Sequence, residues 1–122
     1  MTGNDSQRDR AIAACEAKPG SAEDYPFGDD VAVFKVAGRM FALVSLGSPP
    51  GSVGLKCDPD MADDLRARYA AIKPGYHLNK RHWNTVELDG SVPEDELLEL
   101  IDDSYELVVA RLTKAQRDEL TA

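Results

Sequence analysis

Residues 73–85 read Lys73-Pro74-Gly75-Tyr76-His77-Leu78-Asn79-Lys80-Arg81-His82-Trp83-Asn84-Thr85 and hold both histidines and the only tryptophan of the chain. Residues 65–86 contain no Asp or Glu, while Arg66, Arg68, Lys73, Lys80 and Arg81 supply five positive charges. Cations beside an aromatic ring can position a phosphate and stack a base. Histidines can also hold a metal or move a proton, but His77 and His82 are five residues apart and fall on opposite faces of an extended segment. No carboxylate in the run completes a ligand set, and no serine or cysteine motif offers a nucleophile for a histidine to activate. The glycines form neither GxGxxG nor a Walker loop. The stretch reads as a binding surface, with no catalytic residue, metal or cofactor assigned.

The elements that position this surface follow from the apolar pattern. Asp5 or Ser6 can cap a first helix running to about Ala17, and Lys18-Pro19-Gly20 stops it. Residues 21–30, with Tyr25-Pro26-Phe27-Gly28, read as an ordered loop or short strand. Residues 31–36 and 40–45 are apolar, β-branched runs separated by Ala37-Gly38-Arg39, which forces an antiparallel hairpin. Residues 52–57 make a further strand. Asp58-Pro59 then caps a helix whose expected inner side is Met61, Leu65 and Tyr69. Residues 82–88 alternate as a strand, and a long helix follows from Pro93 to Leu112 with an apolar stripe at Leu97, Leu100, Ile101, Ser104, Val108 and Leu112. Residues 113–120 can add one more helical turn, and residues 1–5 are expected to fray. The predicted fold class is α+β: one domain, an antiparallel sheet of four to five strands packed by an N-terminal, a middle and a long C-terminal helix.

Strand parity sharpens the candidate surface. If Val53, Leu55 and Cys57 face the helices, Lys56 faces away; if Val86 and Leu88 face them, Trp83 and Thr85 face away. Lys35 joins the same outer face from the hairpin. An alternative places Trp83 under a loop, with Asn79 and Asn84 bonding turn backbone and the histidines satisfied at strand ends.

Composition bounds the rest. The chain has 122 residues and a formal net charge of -8, with 11 acids against 6 bases in residues 1–64, none against 5 in 65–86, and 11 against 3 in 87–122. A polyanion must therefore be met locally, which screening over roughly 8 Å at physiological salt permits. Cys15 and Cys57, without CxxC spacing, are expected to be buried free thiols. No signal-like or membrane-spanning apolar run is present, so the expectation is a cytoplasmic protein with no membrane partner.

Several segments together resemble the MmcQ/YjbR family: Tyr25-Pro26-Phe27-Gly28, Gly38-Arg39-Met40-Phe41-Ala42, Leu55-Lys56-Cys57-Asp58-Pro59, Ser104-Tyr105-Glu106-Leu107-Val108 and above all residues 74–86. The resemblance implies an α+β domain similar to secretion-chaperone-like and frataxin-like folds. It also implies DNA binding, with candidate contacts at Lys80, Arg81, His82, Trp83 and Asn84 and at Lys35 and Lys56 on neighbouring strands. Lys73, Tyr76, His77 and Asn79 complete the candidate set from the residues themselves. Two other readings stay open: a protein-interaction or chaperone-like module that takes a peptide or homodimerises, and a small-ligand binder or enzyme using His77, His82 and Asn84 in a cleft.

Overall fold

The computed structural model describes residues 6–75 and 78–121. In chain order the elements are α1 (Gln7–Glu16), β1 (Ser21–Asp24), β2 (Val31–Val36), β3 (Arg39–Ser45), β4 (Ser52–Lys56), α2 (Pro59–Arg68), β5 (Ile72–Pro74), β6 (Trp83–Glu87), α3 (Glu94–Val109) and α4 (Lys114–Leu120). The strands form one antiparallel sheet in the order β1-β2-β3-β4-β6-β5. The α+β class holds, and the sheet has six strands, more than the four to five expected. The additional strands are both edges. β1 (SAED) lacks apolar alternation, and β5 is three residues ending in proline, which blocks further pairing.

Local chemistry sets the helix ends. Ser6 Oγ accepts from Asp9 N at 3.1 Å and starts α1; the alternative cap Asp5 and the expected fraying of residues 1–5 lie outside the described residues. Asp58 caps α2 through Asp60 N at 3.0 Å, with Pro59 in the first turn. The inner side of α2 differs from expectation. Ala62 and Leu65 are buried while Met61 is 48% exposed, so α2 turns Ala62 rather than Met61 to the core. α3 ends at Val109, so its 16 residues span about 24 Å. A capping box of Thr113 and Gln116 then begins α4. No described helix is long and apolar enough to cross a membrane.

The register separates the faces of the sheet. Phe34, Ala42, Leu55 and Asn84 form one cross-strand row and Ala32, Val44, Val53, Val86 and Ile72 the next, both facing the helices. Against them pack Ala11 and Cys15 of α1, Ala62 and Leu65 of α2, and Leu97, Leu100, Ile101 and Val108 of α3. Burial pushes the Cys15 thiol up to about 12 and also raises Cys57, so both free cysteines stay protonated and inert.

Two buried polar side chains, Asn84 and Ser104, belong to this layer. Lys35 pairs with Met40 and Phe34 with Ala42, which leaves Phe41 as an extra residue bulged towards the helices. Its ring packs edge-on against Tyr105 at 5.3 Å. The bulge opens the ladder to β4, and buried Ser104 fills the gap: its hydroxyl donates to Phe41 O at 2.6 Å and accepts from Lys56 N at 2.8 Å. A serine inside the α3 apolar stripe is thus fully bonded.

Candidate nucleic-acid interface

The face away from the helices carries Lys35 and Val33 of β2, Leu43 and Ser45 of β3, Ser52, Gly54 and Lys56 of β4, and Trp83, Thr85 and Glu87 of β6. No described helix covers it. Across it runs a groove of about 540 Å³, with Val31, Leu43 and Gly54 as floor, Ser45 and Ser52 as polar points, and Phe27 and Leu78 on the walls. That volume lies in the range of small-ligand sites, roughly 300–1,000 Å³.

Two tight turns hold the walls. In the first, Asp24 Oδ1 accepts from Tyr25 N at 2.8 Å and Gly28 N donates to Tyr25 O at 3.2 Å, with Gly28 at a φ of +106°. This turn leaves Phe27 63% exposed at the groove and Tyr25 42% exposed, with the Tyr25 hydroxyl donating to Glu23 on the helix side of the sheet. The Asp24 carboxyl is held below its ordinary value by the Tyr25 N–H and then by Lys35, whose Nζ is 3.2 Å away. In the second turn Asn79 Oδ1 accepts from Arg81 N at 2.9 Å, and Asn79 O accepts from Trp83 N at 2.9 Å. Gly75 is required there, since a Cβ would come within 2.7 Å of Trp83 Cβ.

The acid-free run divides sharply in use. Arg66 is internal cement: Nε donates to Asn84 Oδ1 at 2.7 Å, and Nη2 reaches Lys80 O and, at 3.3 Å, Trp83 O. Arg68 lies over the Tyr69 ring and 3.8 Å from both Asp64 and Glu96. Lys73 pairs with Glu87 at 3.0 Å. Lys80 and Arg81 are exposed, and neither forms an ion pair among the described residues.

Three more cations gather at the same end of the sheet. Lys56 is paired with Trp83 across β4 and β6, Arg39 opens β3, and Arg111 follows α3. Burial lowers the Lys56 pKa, and the nearby charges of Arg111 and Arg39 lower it further. None of the three has an acid partner among the described residues. Uncompensated like charges repel one another and create a locally positive field in an acidic protein. Sequence reasoning missed Arg39 and Arg111, because only the register brings the start of β3, the end of β4 and the end of α3 together.

The expected site residues are thus redistributed. Lys35, Lys56, Lys73, Lys80 and Arg81 lie on or beside the outer face, Asn79 shapes the turn, and half-buried His82 accepts from Cys57 N through its carbonyl at 2.7 Å. Tyr76 and His77 lie outside the described residues. Asn84 drops out as a contact: it is 3% exposed, faces the helices and is held by Arg66. Trp83 is on the outer face but only 9% exposed, packed beside Gly75, so the exposed ring at the groove is Phe27 instead. A second depression of about 310 Å³ lies on the helix side and is lined by Asp58, Asp103 and Glu106 around Met61 and Leu107. Its acidic rim repels phosphate.

With this geometry in hand, comparison with known proteins is informative. A family model described as YjbR matches residues 16–107. The uncharacterised protein YjbR of Escherichia coli (strain K12) is 37% identical over 103 residues, covering 84% of this chain and 87% of the relative. The uncharacterised protein YbdF of Escherichia coli O157:H7 is 41% identical over 90 residues, covering 74% of each chain. Among solved structures, the Deinococcus radiodurans protein DR2400, described by the family-model domain DUF419, superposes with a TM-score of 0.87 at 43% identity, covering 95% of this chain and 88% of that one. A Pseudomonas syringae protein superposes with a TM-score of 0.70 at 31% identity, covering 82% and 97%.

Proposed function

This chain belongs to the YjbR family, and from that premise we propose that it is a cytoplasmic, non-enzymatic nucleic-acid-binding protein that works through the uncovered face of its sheet. The observation that carries the reading is the gathering of Lys56, Lys80 and Arg81 at one end of the sheet beside that face without acid partners among the described residues, with Arg39 and Arg111 adding positive charge from the helix side of the same end. Phosphates are held at this end. Lys35 and Lys73 add charge along the face by exchanging Asp24 and Glu87 for phosphate. Phe27 provides the ring on which a base stacks.

The test is fluorescence anisotropy of labelled single-stranded DNA, duplex DNA and RNA over a salt series. With both Lys80→Glu and Arg81→Glu in place, affinity should fall, and the salt slope for a single strand should drop by about 0.7 per lost phosphate contact. Unchanged affinity and slope would sink the reading.

A second reading rests on the helix-side depression, where exposed Met61 and an acidic rim suit a basic peptide with an apolar anchor. Met61→Asp would abolish capture of such a peptide and leave nucleic-acid binding untouched.

A further inference from the structure

Gly54 sits in the middle of β4, paired with Leu43 on one side and Thr85 on the other. Glycine there loses conformational entropy on folding and contributes no side chain to the face, so it needs a reason. Neighbouring glycines have one. Gly51 has a φ of +79°, and a Cβ on it would lie 2.8 Å from Ser45 O. Gly75 is excluded from bearing a Cβ by Trp83. Gly54 has no positive φ, and a Cβ on it would meet Leu78 at 3.7 Å and Leu43 at 3.8 Å, ordinary contacts with flexible side chains. Neither backbone strain nor crowding demands glycine at this position. What its missing side chain leaves open is the floor of the outer groove.

Resting on the nucleic-acid reading of the same face, we propose that the groove above Gly54 seats one unpaired nucleobase, making single-stranded nucleic acid the ligand class. Phe27 and Leu78 supply apolar walls for a flat ring, and the Ser45 and Ser52 hydroxyls can meet polar atoms on its edge. Lys56 stands two residues along β4 on the same face, about 7 Å from Gly54, a spacing that suits a base in the groove with its backbone phosphate over the cationic end. A base paired in a duplex cannot enter without leaving its stack. The acidic net charge adds to this preference by weakening purely electrostatic duplex binding.

The experiment compares a short fluorescein-labelled oligothymidine with a blunt duplex by anisotropy. The proteins are the wild-type chain, Gly54→Val, Gly54→Ala and the double variant with Lys80→Glu and Arg81→Glu. A valine places two methyl groups between Leu43 and Leu78 and suits a strand, so the variant should melt no lower than wild type. It should also bind the single strand about tenfold more weakly, the scale of one lost stacking contact. Gly54→Ala should show a smaller loss, and it decides the matter if the valine variant fails to fold. Wild type should prefer the single strand over the duplex. Wild-type affinity in folded Gly54→Val, or equal affinity for duplex, would overturn the groove inference. If the charge reversal still weakened binding in that case, the wider function would survive. Absence of binding by the wild-type chain would remove both.

Discussion

The two faces of this sheet are built from the same strands and are finished differently. On the helix side the two buried polar side chains are tied into the layer: Ser104 bridges a bulge and Asn84 Oδ1 accepts from Arg66. On the other side the strands carry glycine, serine and lysine around a groove, and exposed Phe27 stands at its edge. Covered apolar surface stabilises the fold, whereas uncovered apolar surface with a polar rim marks a place where something else binds. The same alternation that hides Leu55 and Val53 presents Gly54 and Lys56.

Substitutions on the two faces should therefore separate stability from binding. Phe41→Ala removes a ring buried against Tyr105 and Phe34 and should cost about 3–5 kcal/mol, read as a lower denaturant midpoint. Arg66→Ala leaves the buried Asn84 side chain without its partner and frees the 79–83 turn. It should cost about 1–3 kcal/mol and weaken binding indirectly, since the turn carries Lys80 and Arg81. Phe27→Ala should change stability by no more than about 0.5 kcal/mol while reducing single-strand affinity. If Phe27→Ala destabilised as much as Phe41→Ala, the contrast between the faces would be broken.

Acid should distinguish the faces most gently. Asp24 on the outer side is held below the ordinary aspartate value of 3.8 by the Tyr25 N–H and Lys35. Asp89 is likewise lowered, first by the Ser91 hydroxyl and then by its N–H. Depressed carboxyls add stability that is fully present above the unfolded value and lost as pH falls through the folded one. These two groups should leave the melting temperature flat from neutrality down to about pH 4 and lower it beneath that. Asp89→Asn should flatten part of that acid limb in thermal melts.

Much of the scaffold is legible in the sequence because it rests on local chemistry. The Ser6 and Asp58 caps, the hairpin at Ala37-Gly38 and the stripe of α3 are each specified within a few residues. Parity correctly assigns Lys35, Lys56 and Trp83 to the outer face. What escapes is long-range. β5 has too few apolar residues to signal a strand, and β1, legible only as an ordered loop or short strand, forms at the free edge that β2 offers. Asn84 looks like a surface amide beside two cations, yet Arg66, eighteen positions earlier, claims it. Trp83 follows parity to the outer face but is buried beside Gly75, so the exposed ring at the groove is Phe27. Arg39 and Arg111 carry no sequence signal because nothing in their own segments is basic enough to notice.

The most direct measurement is an amide chemical-shift map of the labelled protein titrated with a short single-stranded oligonucleotide. Shifts concentrated at Leu43, Ser45, Gly54, Lys56 and Arg81, with α1 and α3 interior amides still, are the predicted result. Shifts confined to Asp58, Met61 and Glu106 on the helix side, or none at saturating oligonucleotide, would contradict the assignment of the open face as the working surface.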